Sequence, residues 1–66
     1  MMRLNGKLLT SAPERLVDLL AAQGFQVETR GIAVAINGSV VPRSKWAETV
    51  LSGEDDIEIV KIMQGG

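Results

Sequence analysis

Two Asn-Gly dipeptides, Asn5-Gly6 and Asn37-Gly38, each stand between short apolar stretches of the chain. A two-residue type I′ turn needs positive φ at both central positions, which Asn and Gly tolerate best. The first dipeptide therefore predicts a hairpin across roughly residues 1–10, with Met2-Arg3-Leu4 on one arm and Lys7-Leu8-Leu9 on the other. The second closes the run Ile32-Ala33-Val34-Ala35-Ile36 and returns it as Val40-Val41. That run has the length and continuity of a strand covered on both faces. Ile32, Val34 and Ile36 share one face, suited to meeting a helix, while Ala33 and Ala35 give the other a shallow surface. Pro42 confines the return strand to a sheet edge.

A helix is predicted between the hairpins, over residues 12–23. Ser11 and Glu14 have the spacing of a capping box, and Pro13 suits a first turn, where its missing N–H is not needed. Leu16, Val17, Leu19 and Leu20 fall on one helical face, and Glu14, Arg15 and Asp18 are polar. Gly24 supplies a left-handed C′ position, and Phe25 can pack back on Leu20.

Beyond Pro42, Ser44-Lys45-Trp46-Ala47 reads as a single capped turn, with Trp46 as a core anchor rather than a stacking platform. Ser52-Gly53-Glu54-Asp55 is a turn, and Ile57 to Met63 a last strand. Ile57 and Ile59 alternate with Asp56 and Glu58, as in a half-buried strand. The alternation then fails at Val60, Ile62 and Met63. Either these residues enter the core, or they form an apolar patch that docks on a partner, unless a bulge resets the register. The order of elements gives an α+β fold: one main helix across a mixed four- to five-stranded sheet, with first and last strands adjacent at its centre. That is the β-grasp arrangement, in one domain over residues 1–66 with a flexible tail at 64–66.

Such a chain buries only about 60 % of its unfolded surface and commonly needs staples. This one has no Cys and no His, so disulfides and thiolate or imidazole metal sites are excluded. Without Cys, His or Tyr it lacks the usual nucleophiles and neutral-pH bases, which argues against an independent enzyme and leaves no catalytic residue to name. A net charge of −1 argues against nucleic-acid binding. The acids cluster late, at Glu48, Glu54, Asp55, Asp56 and Glu58, either as a solvated edge or to steer toward a basic partner. No apolar run reaches membrane-spanning length and no signal-peptide pattern is present, so cytoplasmic residence and a monomeric free state are expected.

The last strand runs directly into Gln64-Gly65-Gly66. Two terminal glycines arise by chance in about 0.5 % of sequences at average usage, so a frayed end or expression scar is one reading. The other is chemical. A C-terminal carboxylate acylates only after activation, for example by attack on the α-phosphate of ATP, and its tail must thread a narrow channel. Glycine has no side chain to clash there and accepts extended or left-handed backbone alike.

Residues 32–66, from Ile-Ala-Val-Ala-Ile-Asn-Gly-Ser-Val-Val-Pro-Arg-Ser-Lys-Trp to Ile-Glu-Ile-Val and Gly-Gly, closely resemble the ThiS family of sulfur carriers in thiamine biosynthesis. Leu4-Asn5-Gly6-Lys7 and Val17-Asp18-Leu19-Leu20 also match, so the resemblance covers essentially the whole chain. The block Asn37 to Trp46 is its distinctive part, whereas Gly-Gly is shared with all ubiquitin-like carriers. Glu54-Asp55-Asp56 is more acidic than the usual turn of the family. The resemblance implies a ubiquitin-like β-grasp fold and a carrier role without cofactors or metal of its own. It implies that Gly66 is adenylated by a ubiquitin-activating-type adenylyltransferase using ATP and Mg²⁺, with Gln64 and Gly65 entering that partner's active site. A cysteine-desulfurase persulfide would then supply the sulfur of a Gly66 thiocarboxylate, which thiazole synthase would consume. Two other readings stay open: a carrier for another acceptor, such as molybdopterin synthase, and a β-grasp binding module with an idle tail.

Overall fold

The computed structural model describes residues 1–10, 13–25 and 31–62. Both Asn-Gly hairpins form. Strands β1 (Arg3–Leu4) and β2 (Lys7–Leu8) pair antiparallel around Asn5 at φ 51° and Gly6 at φ 83°. Strands β3 (Ile32–Ile36) and β4 (Ser39–Val41) pair around Asn37 at φ 52° and Gly38 at φ 85°. Strand β5 (Asp56–Lys61) lies between the hairpins, parallel to β1 and antiparallel to β3, so the sheet order is β2-β1-β5-β3-β4. As the Pro42 argument requires, β4 is an edge.

The two turn asparagines also hold β5 with their side chains. Asn5 accepts from the Ile59 N–H at 2.9 Å through Oδ1 and donates from Nδ2 to the Ile59 carbonyl at 3.2 Å. Its backbone N–H reaches the Ile57 carbonyl at 2.8 Å. The β1–β5 ladder thus continues where β1 itself turns away into the hairpin. Asn37 does the same on the other side: its Oδ1 accepts from the Asp56 N–H at 3.0 Å, and its Nδ2 donates to Asp55 Oδ1 at 2.9 Å. One residue type meets both demands, a positive φ and a side-chain amide with donor and acceptor together.

The helix α1 spans Leu16–Ala22, starting later than the predicted 12–23. Arg15 is extended, at φ −117° and ψ 145°, and bridges Val50. The Glu14 carbonyl accepts from the Leu51 N–H at 2.8 Å, and the Leu16 N–H donates to the Thr49 carbonyl at 3.1 Å. Pairing with residues 49–51 therefore takes Glu14 and Arg15 out of the helix and satisfies the first helical N–H without a side-chain cap. Pro13 lies before the helix rather than in its first turn, and Ser11 of the expected capping box lies outside the described residues. The C-terminal end follows the sequence reading. Gly24 has φ 88°, its N–H reaches the Ala21 carbonyl at 3.0 Å, and the Phe25 N–H reaches the Leu20 carbonyl at 2.8 Å. These are the two bonds of a Schellman motif.

Seven residues are too few for a stable isolated helix, so packing decides its formation. Leu16, Leu19 and Leu20 are buried against Ile32 and Val34 of β3 and Ile57 and Ile59 of β5. Trp46, at 1 % exposure, closes the same core from a 3-10 helix over Arg43–Glu48, longer than the single turn predicted. Its Nε1 donates to the Val41 carbonyl at 2.9 Å, and the Arg43 guanidinium lies 4.4 Å from the ring centroid. One helix across a mixed five-stranded sheet, with β1 and β5 adjacent, is the ubiquitin-like β-grasp fold.

The double role of Asn5 can be separated by two substitutions. Asn5→Gly keeps the positive φ and removes both side-chain bonds, and should cost about 1–2 kcal/mol in denaturant unfolding. Asn5→Ala should cost about 1–2 kcal/mol more, because it also forces a β-carbon into the left-handed region. Equal stability of Asn5→Gly and the unmodified protein would show that only the turn conformation matters.

Candidate functional site

Register decides which residues of β5 are available to a partner. Five successive antiparallel pairs, from Ile36↔Ile57 to Ile32↔Lys61, run without a bulge. Ile57 and Ile59 therefore face the helix, and Val60 faces away from it. Val60 is 51 % exposed and Ile62, one residue beyond β5, is 50 % exposed. The broken alternation is neither a bulge nor an entry into the core. It places two apolar side chains in solvent.

The neighbouring strands extend this surface. Val60 stands opposite Ala33, Glu58 opposite Ala35, and Ala35 opposite Val40 across the β3–β4 hairpin. Val40 is 72 % exposed. In the sequence Val40 reads only as part of an edge strand. The signal that could have found it is Asn-Gly hairpin register, which pairs Val34 with Val41 and so turns Val40 outward. The outer face thus carries two rows, Val40, Ala35 and Glu58 across three strands and, two residues along, Ala33 and Val60, with Ile62 beyond Val60. Asp56 and Glu58 are exposed on that face, and Arg3 stands opposite Asp56.

The acidic residues divide by role. Asp55 closes the Ser52–Asp55 turn: its Oδ2 accepts from the Ser52 N–H at 2.8 Å, its Oδ1 from Asn37, and its own N–H reaches the Ser52 carbonyl at 3.1 Å. Glu54 pairs with the Met1 ammonium at 2.9 Å and Glu48 with Lys45 at 3.2 Å, both solvent-exposed. Among the described residues no acidic group of three or more is arranged to hold a metal ion. None of their helices is long and apolar enough to cross a membrane. Met63, Gln64, Gly65 and Gly66 lie outside the described residues.

The sequence model of the ThiS family matches residues 2–66. The chain belongs to the ThiS family. It is 39 % identical over 36 residues to the sulfur carrier protein ThiS of Escherichia coli, a match spanning 54 % of each chain and so only about half of that relative. The crystal structure of the thiamine biosynthesis protein ThiS from Geobacter metallireducens superposes with a TM-score of 0.75 at 28 % identity, covering 98 % of this chain and 97 % of the other. A solution structure of a thiamine biosynthesis protein from the same organism gives 0.73 at 29 % identity, covering 98 % and 86 %. Within this ThiS-family chain, the distinctive Asn37-to-Trp46 block contributes to the fold. Asn37 extends the β5 ladder and Trp46 fills the core.

Outward-facing Val60 and Ile62 contribute little to the core. Val60→Ser and Ile62→Ser should each change unfolding free energy by less than about 0.5–1 kcal/mol, whereas Ile57→Ser on the same strand should cost about 3 kcal/mol or more. Thermal unfolding of the three variants side by side checks this, and a large loss for Val60→Ser would return that residue to the core.

Proposed function

We propose that this chain is a sulfur carrier of thiamine biosynthesis that works through its own C-terminal carboxylate, in the cytoplasm and as a monomer when free. The observation that carries this reading is the family match over residues 2–66, which takes in both the Asn37-to-Trp46 block and Gly65-Gly66. The names of the relatives, a sulfur carrier protein and thiamine biosynthesis proteins, support the same pathway.

The chemistry asks no catalytic group of the carrier. A Gly66 carboxylate oxygen attacks the α-phosphorus of ATP, the α–β phosphoanhydride bond breaks, and pyrophosphate leaves, giving an acyl-adenylate. Adenylation needs a ubiquitin-activating-type adenylyltransferase that holds ATP and Mg²⁺. The outer sulfur of a cysteine-desulfurase persulfide then attacks the Gly66 carbonyl carbon and AMP leaves, giving an acyl disulfide. A thiol of the partner proteins cleaves its S–S bond, is itself oxidised to a disulfide, and releases the Gly66 thiocarboxylate that thiazole synthase uses. The carrier's part is to dock and to present the tail, with Gln64 and Gly65 entering the partner's active site. Docking falls to Val60 and Ile62, with Met63 beside them in sequence and Val40 across the sheet. A partner that covers these side chains removes apolar surface from water at about 25 cal/mol per Å².

Intact-mass measurement after incubation with the adenylating enzyme, ATP, Mg²⁺ and a sulfur donor should show the gain expected when one oxygen of Gly66 is replaced by sulfur. Removing Gly66 should abolish that gain. Val60→Ser and Ile62→Ser should keep the fold and weaken binding to the adenylating enzyme by about tenfold, since each removes an exposed apolar side chain that the partner would cover. An unmodified mass, under conditions that load an authentic carrier, would overturn the proposal.

A further inference from the structure

Asn5 and Asn37 are the chain's two asparagines, and each precedes a glycine. That pairing carries a chemistry of its own. The backbone nitrogen of a glycine, with no side chain beside it, can attack the Cγ of the asparagine before it. The Cγ–Nδ2 bond then breaks, and Nδ2 leaves as ammonia with the proton that the attacking nitrogen gives up. Water opens the resulting succinimide at either carbonyl, leaving aspartate or isoaspartate. An asparagine can react only when its side chain is free to turn back on the next peptide, so a side chain held elsewhere is protected.

The two turns have nearly the same backbone, with φ of 51° and 83° at Asn5-Gly6 and 52° and 85° at Asn37-Gly38. All four residues are exposed. What differs is what each asparagine would leave behind on release. Asn5 would abandon both the N–H and the carbonyl of Ile59, partly buried and in the middle of β5. Asn37 would abandon the Asp56 N–H at the start of β5 and one oxygen of the Asp55 carboxylate. Both of those bonds are exposed, so water can replace them. Backbone groups left unpaired away from water cost far more than groups that water can satisfy.

We propose that Asn37 is a site of spontaneous deamidation in the folded protein, while the hold of Asn5 on Ile59 protects the other Asn-Gly pair. The modified chain cannot restore the lost clamp. A carboxylate oxygen takes the place of Nδ2, which lay 2.9 Å from Asp55 Oδ1, and two anions now face each other. Asp55 also closes the Ser52–Asp55 turn through its Oδ2, so the repulsion loosens the turn that leads into β5. Isoaspartate adds a further disturbance, since it routes the backbone through one extra carbon in the turn between β3 and β4. That hairpin is the one that presents Val40 on the outward face.

Peptide mapping by mass spectrometry reads both sites in one sample, held folded at mildly alkaline pH, where the attacking nitrogen loses its proton more readily. Asn37 should convert at least about tenfold faster than Asn5 in the folded protein. In denaturant, where neither clamp exists, the two should convert at similar rates. Asp55→Ala removes the acceptor of Asn37 Nδ2 and should speed conversion of Asn37 several-fold, with Asn5 unchanged. In the deamidated product the Asp56 amide should exchange faster and the Ile59 amide as before. The proposal is overturned by equal rates at the two sites in the folded protein, by faster conversion at Asn5, or by an Asn37 rate that Asp55→Ala leaves unchanged. Acceleration of both sites alike would mark Asp55→Ala as unfolded, and the comparison within the unmodified protein then decides alone.

Discussion

Everything in this fold is organised around β5, a strand that the chain reaches last and that both hairpins must grip. It is parallel to β1 and antiparallel to β3, and its backbone groups are met on both sides. The hairpins' own strands do not suffice for this, because β1 is only two residues long. Asn5 and Asn37 make up the difference by lending side-chain amides to the ladder, Asn37 at Asp56 and Asn5 at Ile59. Type I′ turns and ladder extension are separate requirements, and asparagine meets both at each turn. An aspartate would form the turn equally well but would lack the N–H donors that reach Ile59 and Asp55.

With β5 fixed, the sheet has two unequal faces. One carries the core: α1, Trp46 and the large side chains of β3 and β5 cover each other. The other is covered by no described element. Alanines at 33 and 35 keep that surface shallow, while Val40 and Val60 stand proud of it. Charged Asp56 and Glu58 on the same face limit the contiguous apolar area that water sees. A transient docking partner suits such a surface better than a permanent one, since the uncovered state must itself remain soluble.

Much of this was legible from residues alone, where local chemistry decides. The two Asn-Gly turns, the strand Ile32–Ile36, the Gly24 helix end and the buried Trp46 each follow from conformational preference or side-chain character. What was not legible depends on contacts between distant segments. The helix starts at Leu16 because Glu14, Arg15 and Leu16 bond to residues 49–51, and no local signal reports that pairing. The orientation of Val60 depends on an unbroken register with β3, which a failing alternation in sequence leaves ambiguous. The asparagine clamps looked like turn chemistry and nothing more. The candidate site divides in the same way: its outward residues are settled by register, while the chemistry assigned to Gly66 rests on family membership.

The adjacency of β1 and β5 has a consequence for how such a molecule is made. The residues of β1 leave the ribosome before every other described strand, yet their parallel partner is 53 positions later, as the Arg3↔Asp56 pair shows. Contacts of that separation form late, since the loop between them must be closed first. Until the final segment emerges, the nascent chain has two hairpins, a marginal helix and no strand to join them. Synthesis that stops before Asp56 therefore leaves the two hairpins without the strand between them. Folding of the whole sheet thus waits on the segment that carries β5.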